Sequence, residues 1–306
     1  MKKIAAFLLG ILFVVFLISC GHTDNGLPIE TTKPNNKGNT IIIEETNIEM
    51  FNNKTTDYKI IIPLEPSASD IKAVDELKYF FKQATDIDLL VETETDDSFN
   101  QDDKHISIGK TNKLKNSGIQ LDSKKLGRDG YIIKTIGNTV FLAGATGNGT
   151  VFSVYRFLSA MFNYRYFAKD EIRLENKTKG NLINFDIIEC PSIESRNLDA
   201  YALYDDYEYL TRMRLTPAMG RKTDYFVQGW STLNDQSMAT QILPYDKYKD
   251  REGWFSGDTY TGQMNVTKAY YDDEMFNEFT NNLINNFIAV EKDSKYFMLG
   301  INDNRH

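Results

Sequence analysis

Histidine, cysteine and basic side chains are all in short supply in this chain, and each shortage closes a route. Of three histidines, His22 and His306 stand at the two ends and His105 lies beside a strand-like run. That leaves no spacing suited to a metal ligand set, and neither a Ser-His-Asp nor a Cys-His system finds support. His105 reads as a surface or hydrogen-bonding residue. The two cysteines are Cys20 and Cys190. If Cys20 is consumed by acylation, Cys190 is alone and no disulfide forms within the mature chain. Lys and Arg number 35 against 43 Asp and Glu, a formal net charge of −8 that becomes −10 once Lys2 and Lys3 are removed. So acidic a surface argues against nucleic acid, whose affinity is dominated by cationic contacts to phosphate. Internal repeats and low-complexity runs are also missing. With 41% apolar residues over 306 positions, the chain can fill two cores.

What the sequence does have begins at its start. Lys2 and Lys3 precede an apolar run from Ile4 to Ile18, closed by Ser19-Cys20-Gly21. A basic start, a short apolar core and small residues at the cut form an export signal, and the run is too short to prefer a transmembrane helix. Leu17-Ile18-Ser19-Cys20 resembles the bacterial lipobox, which implies that Cys20 is diacylated and becomes the new N-terminus. An ordinary signal with an incidental cysteine is the other reading; the clean spacing favours the lipoprotein. Residues 1–20 are therefore expected to be a signal peptide and 21–40 a tether. The protein is expected to be exported and anchored by lipid to the outer side of a bacterial membrane, with no basic patch needed.

The stretch from Leu126 to Glu171, LGRDGYIIKTIGNTVFLAGATGNGTVFSVYRFLSAMFNYRYFAKDE, changes period twice. Tyr131–Thr135 and Thr139–Ala143 flank Gly137-Asn138 and predict a hairpin. After a glycine-rich link, Val151, Val154, Tyr155, Leu158 and Phe162 place one apolar stripe on a helix, with Asn163 as a left-handed cap. The link is not a Walker loop, because Gly149 is followed by Thr150-Val151 rather than by Lys-Ser/Thr. Nor is it a dinucleotide fingerprint, since Phe152 stands where the third glycine belongs. It reads as a tight strand-to-helix turn with Thr150 as helix cap, and no cofactor is expected. Upstream, strands are predicted over 41–48, 58–62, 86–91 and 105–108, and Ser67 to Asp70 resembles a capping box opening a helix through Thr85. That helix should bury Ile71, Val74, Leu77, Phe81 and Ala84. An acidic loop, 92–104, separates two of the strands, and a strand over 181–188 closes the domain. The expectation is an α+β domain over 41–190 with helices on one face of its sheet.

These residues also carry a family likeness. "LGRDGYIIKT…VFLAGATGNGTVFSVYRFLSAMFNYRYFAKDE" resembles the small α+β domain that precedes the catalytic barrel in family 20 hexosaminidases and family 67 α-glucuronidases. It is most similar to bacterial proteins in which that domain precedes a "domain of unknown function 4838". The resemblance spans roughly residues 55–190 and implies a platform without catalytic residues.

After Pro191 the composition shifts toward Tyr, Asp, Asn and Met. Strands are predicted over 192–201 and 296–301, and helices over 207–215 and 272–290, the last with Met275, Phe276, Phe279, Leu283, Phe287 and Val290 in one stripe. This alternation fits the opening units of a (β/α)8 barrel, which takes about 250 residues; 116 follow Cys190, so a partial, truncated barrel over 191–306 is expected. "GW…LP…Y…REGWFSG…GQMNVT…LGINDN" is similar to the start of the family-4838 domain, although that family often has a histidine near the position of Trp230. The resemblance implies a glycoside-hydrolase-type protein acting on a poly- or oligosaccharide. Asp303 follows the apolar run Phe297–Ile301, so it should emerge at a strand's carboxyl end, where barrel enzymes place their chemistry. It is the candidate catalytic carboxylate; Asn-Asp-Asn is also ordinary turn chemistry. Trp230 and Trp254 offer flat faces for sugar stacking, Gln263 and Asn304 paired donors and acceptors, and Arg196 a partner for a carboxylate of substrate or protein. A non-catalytic glycan-binding lipoprotein, or an inactive fragment of a glycosidase, are the alternatives.

Overall fold

The computed structural model describes residues 39–95, 98–193, 196, 198, 203, 206–215, 223–225, 231–233, 237–256, 263–265, 268, 271–292 and 294–300. All of them belong to one compact unit, Thr31–His306. Its centre is a seven-stranded sheet built from β1 (Thr40–Asn52), β2 (Lys59–Ile62), β3 (Val91–Thr93), β4 (His105–Ile108), β5 (Tyr131–Ile136), β6 (Thr139–Gly144) and β9 (Lys179–Glu189). The spatial order is β1-β9-β5-β6-β4-β2-β3. The half from β6 to β3 is parallel and the half from β1 to β6 antiparallel. Parallel neighbours need crossovers and antiparallel ones need only turns. The helix α1 (Ala68–Thr85) carries the chain from β2 to β3, whereas Gly137-Asn138 is enough to join β5 to β6. Gly137 has φ +59°, a conformation that costs glycine nothing.

α1 starts where the sequence predicts. The Ser67 hydroxyl accepts from the Asp70 N–H while the Asp70 side chain accepts from the Ser67 N–H, and Asp86 closes the helix in the left-handed region. Its buried face holds Ala73, Val74, Leu77, Phe80, Phe81 and Ala84, whereas Ile71 is 42% exposed. The second long helix, α4 (Gly147–Phe162), ends at Asn163 in the left-handed cap. Its N-cap is Thr146, not Thr150. Thr150 sits within the first turn, where its hydroxyl accepts from the Gly144 N–H at 3.2 Å. The expected single stripe also understates this helix: Phe152, Phe157 and Met161 are buried along with Val151, Val154, Tyr155, Leu158 and Phe162. A helix apolar on nearly all sides belongs inside, and α4 lies among the sheet, α1 and the hairpin β7 (Arg165–Ala168) with β8 (Glu171–Arg173).

Alternation along the strands divides the core in two. Ile60, Ile106, Ile133, Val140, Leu142 and Ile187 join the main cluster with α1 and α4. Their neighbours Ile132, Phe141 and Ala143 point to the other face, where they meet Leu114, Leu126 and Cys190. That second cluster rests under two short helices, α2 (Asn112–Asn116) and α3 (Ser123–Leu126). The expectation of helices on one face alone is thus corrected: α2 and α3 cover part of the second. The strand expected over 86–91 begins only at Val91, because Asp86 turns the chain out of the helix and Ile87 and Leu89 are buried outside any ladder.

Beyond Pro191 the described elements are α5 (Tyr207–Arg212), a π-helical turn Met238–Ile242, α6 (Tyr245–Tyr248), the short pair β10 (Phe255–Ser256) and β11 (Gln263–Met264), and α7 (Asp273–Leu283) continuing as a π-helical turn Ile284–Ile288. A small core of Ala239, Leu243, Tyr248, Trp254, Met264 and Met275 holds them. Most of 192–201 lies outside the described residues, and Ile193, Arg196 and Leu198 within it form no strand. Among the described residues Tyr296–Gly300 forms no strand either, Tyr296 making only an isolated bridge. Single bonds anchor it instead, from the Ser231 N–H to the Tyr296 carbonyl (2.8 Å) and from the Met238 N–H to that of Gly300 (2.9 Å). In the predicted α7 stripe Met275 is buried, while Phe276 is 55% and Val290 68% exposed.

Candidate functional site

The strand directions put the carboxyl ends of β2, β4, β6 and β9 and the amino end of β5 on one edge of the sheet. The chain after Pro191 returns to that edge and to the adjoining helices along a seam of charged groups. At the edge, the Asp129 carboxylate, 2% exposed, takes both arms of Arg128 (2.8 and 3.1 Å), the Asn148 amide (2.9 Å) and Arg196 Nη2 (2.8 Å). Arg196 also donates to the Arg214 and Ile193 carbonyls. Beside it, the Tyr131 hydroxyl donates to Glu189 (2.7 Å) and accepts from Arg214 (3.3 Å). Ser69, in the first turn of α1, donates to the Tyr225 carbonyl at 2.5 Å.

The deepest joint lies over α1 and α4. Arg212 on α5 grips Glu76 on α1 with two bonds, Nε to Oε2 at 2.9 Å and Nη2 to Oε1 at 3.2 Å, and its other arm meets Glu208. Lys72 and the Tyr155 hydroxyl complete the shell of Glu76 at 2.7 and 3.1 Å. The guanidinium also lies over the rings of Phe80, Tyr166 and Tyr79, a placement that suits a flat cation with weak hydration. Burial pushes the Glu76 carboxyl up, but Arg212 and Lys72 outweigh it and hold the group below the usual carboxylate range. Burial, with Glu76 beside it, pushes the Tyr155 phenol well up, so it stays a neutral donor. A carboxylate held ionised in this way cannot serve as a general acid near neutral pH. The seam is a joint.

The glycine-rich link has a packing role at the same edge. A side chain on Gly144 would put its Cβ 2.5 Å from the Gly149 Cα, and one on Gly147 would strike the Ser69 hydroxyl. Strand β6 and helix α4 meet backbone to backbone there, which only glycine permits.

With this geometry in view, comparison with known families is decisive for one part of the chain. Residues 46–157 match the glycosyl hydrolase family 67 N-terminus. The match spans β1 to α4 and therefore most of the sheet, so this part of the chain is an α+β domain of glycosidase-like character. No curated protein matches the chain. Among solved structures it is similar to a GH20 β-N-acetylhexosaminidase from Streptomyces coelicolor A3(2), at 14% identity over 56% of this chain and 29% of that one, with a TM-score of 0.36. It is also similar to a family GH115 4-O-methyl-α-glucuronidase with specificity for decorated arabinogalactans, at 12% identity over 78% of this chain and 34% of that one, TM-score 0.43. The chain spans about a third or less of the length of these two structures.

The α+β domain and the segment beyond it place the sequence-predicted residues unequally. Arg196 is engaged by Asp129 and two carbonyls, the protein-partner role. Trp254 is 3% exposed, stacked on Tyr248 at 5.6 Å, with Arg251 over its ring; its faces are taken up by the small core. Gln263 is paired in β11 with Ser256. Cys20, Trp230, Asp303 and Asn304 lie outside the described residues. Among the described residues no three His, Cys, Asp or Glu side chains group as a metal site, and no helix is long and apolar enough to cross a membrane. The seam itself escaped the sequence reading. One signal was available: Glu76 falls between Ala73, Leu77 and Phe80 on the apolar side of α1, and a carboxylate in that position demands a buried cation.

Proposed function

We propose that this protein is an exported, lipid-anchored, carbohydrate-active protein of glycoside-hydrolase type, acting on a poly- or oligosaccharide. The observation that carries the reading is the family 67 N-terminal match over residues 46–157. In this reading the α+β domain is a platform, and the segment from Pro191 is the opening of a (β/α)8 domain of the family-4838 kind. Cys20 carries the lipid that holds the protein at the cell surface. Glycosidases of the barrel type use two carboxylates, about 5–5.5 Å apart for retention and about 6.5–9.5 Å apart for inversion. Asp303 is assigned one of these positions, as acid/base or as a substrate-positioning group. Trp230, Gln263 and Asn304 are assigned to the sugar, Trp254 to the floor beneath them and Arg196 to the joint with the platform.

A second reading, a glycan-binding protein without hydrolysis, draws on one observation. The buried carboxylates Glu76 and Asp129 are surrounded by donors, and Glu291, which accepts from the Thr232 N–H and the Ser294 hydroxyl, is held below the usual range. Glu76 and Glu291, both held below the usual carboxylate range, carry no proton to a leaving group near neutral pH. The two readings separate in one experiment. The protein and its Asp303→Asn variant are assayed side by side for release of reducing ends and for retention on immobilised polysaccharide. Hydrolysis lost in the variant with retention intact supports the enzyme. Retention without hydrolysis in either protein supports the binding reading. Wild-type hydrolysis in a folded Asp303→Asn protein refutes the assignment of Asp303.

A further inference from the structure

The second face of the sheet is covered unevenly, and the step where the cover stops is a cleft. α2 and α3 close over β6 and the near side of β5 through Leu114, Leu126 and Phe141. Beyond them the loop Ser117–Gln120 stands as a wall, and the face of β5 and β9 lies open as a cleft of about 430 Å³. The register fixes its floor. Ile132 pairs with Ile188 and Lys134 with Asp186, in adjacent rows on one face; Ile42 of β1, paired with Asp186 and 42% exposed, continues the floor outward. The Lys134 ammonium lies 3.4 Å from the Asp186 carboxylate, and both side chains are 42% exposed.

We infer that this cleft binds a carbohydrate chain at a place separate from the seam. This inference rests on the proposed function for the nature of the ligand. The floor gives a polyol what it needs: a cation and an anion side by side, able to donate to one hydroxyl and accept from its neighbour, beside the partly exposed Ile136 and Ile188, which can meet the C–H surface of a sugar ring. Its volume falls within the range of about 300–1,000 Å³ usual for small-molecule sites. A protein partner fits less well, because a Lys–Asp pair in the middle of its footprint would have to be desolvated. A sugar keeps the pair hydrogen-bonded. The site adds a hold on long substrates.

The test is affinity electrophoresis of the whole protein in gels containing arabinogalactan, glucuronic-acid-decorated xylan or chitin oligosaccharides, with Lys134→Ala/Asp186→Ala and Ile132→Ser/Ile188→Ser as variants. Melting curves confirm that each is folded, and the Lys134/Asp186 pair, being half-exposed, can be removed without loss of the core. The expected result is retardation of the wild type by at least one glycan and a dissociation constant about tenfold or more weaker for Lys134→Ala/Asp186→Ala, the loss of hydrogen bonds to charged groups. Equal retardation of wild type and that variant overturns the cleft and leaves the proposed function standing, since binding then lies elsewhere. No retardation of the wild type by any of the three also overturns it. Reducing-end release from the same glycans reports on the proposed function independently.

Discussion

Replacing Arg212 by Met should cost this protein more stability than any other single change along the seam. Arg212 and Glu76 are 8% and 4% exposed, so the substitution strands a buried carboxylate. Breaking a buried pair by removing one partner costs about 3–5 kcal/mol. Lys72 remains 2.7 Å from Glu76 and is 21% exposed, so water and one cation can still reach the group, which places the expected loss near the lower end, about 3 kcal/mol. For a unit of this size that is a fall of roughly 6–12 °C in melting temperature. Glu76→Gln/Arg212→Met should recover part of it, because a neutral amide is far cheaper to bury than a lone carboxylate. The cycle of single and double variants, measured by urea unfolding of the whole chain, should show a coupling of about 2 kcal/mol or more. The same pair sets an acid response. The folded-state pKa of Glu76 is depressed, so the unfolded chain binds the proton more readily. Its contribution is complete above the unfolded value of about 4.3 and is lost as pH falls through the lower folded value. Glu76→Gln should flatten the decline of stability below about pH 4.3. A loss under about 1 kcal/mol for Arg212→Met, or strict additivity in the cycle, would refute the claim that this pair carries the joint.

The remaining predictions are simpler. Cys20→Ala should leave an uncleaved or released protein that no longer partitions into detergent; mass spectrometry showing an unmodified Cys20 in the wild type would end the lipoprotein reading. A fragment 39–190 should unfold cooperatively, because it contains the whole main core, but with a lower midpoint than the full chain, since Glu76, Asp129 and Glu189 lose Arg212, Arg196 and Arg214. A fragment starting at Thr55 should not, since it lacks β1 with Met50 and Phe51, each 1% exposed. Equal midpoints for fragments starting at 39 and 55 would show that β1 contributes little.

How much of this could be read in the sequence depends on the range of the forces involved. Local chemistry was legible. The Ser67–Asp70 box, the Gly137-Asn138 turn and the Asn163 cap are set by residues within a few positions of one another, and each is found where the pattern places it. Packing was legible only to the resolution of a stripe. Ile71 has the spacing of a core residue and is exposed, while Phe152 and Phe157 lie off the predicted stripe and are buried, because α4 is enclosed on several sides and periodicity reports only one. The N-cap moved from Thr150 to Thr146 since the closeness of Gly144 to Gly149 lets the helix begin earlier. The pairings across the seam were not legible, although Glu76 on the apolar side of α1 signals that a cation must meet it. Glu76 and Arg212 are 136 positions apart and Asp129 and Arg196 are 67 apart, and no local pattern pairs a cation with an anion over such distances. For Cys20, Trp230, Asp303 and Asn304 the sequence and the family likeness are the whole basis.

The seam also bears on where chemistry can reside. An enzyme that cleaves a glycosidic bond with two carboxyl groups needs one of them protonated at the working pH, which calls for burial without a cationic partner. The α+β domain does the reverse. Its buried carboxylates are met by Arg128 and Arg196 at Asp129, and by Arg212 and Lys72 at Glu76; at Glu76 the two cations outweigh burial and hold the carboxyl below the usual range. Glu76 is therefore no general acid near neutral pH, but both sets of ion pairs can fix orientation. Arg196, Arg212 and Arg214 all lie within the first stretch after Pro191, and each is bound to a different element of the platform: the loop before β5, helix α1, and the β5–β9 edge. Three attachments to three different elements restrict the placement of that stretch far more than one would. If that stretch opens a barrel, as proposed, the barrel's first unit is held in one orientation before any downstream strand is added, and catalytic geometry tolerates errors of only about 0.5 Å. A platform without a reactive group can therefore still govern rate: loosening Arg212 or Arg196 should lower turnover through misplacement of the segment while leaving the pH dependence of the reaction where it was. A shifted pH profile in Arg212→Met would instead place the seam in direct contact with the reacting groups, and the division between platform and chemistry drawn from these carboxylates would fall.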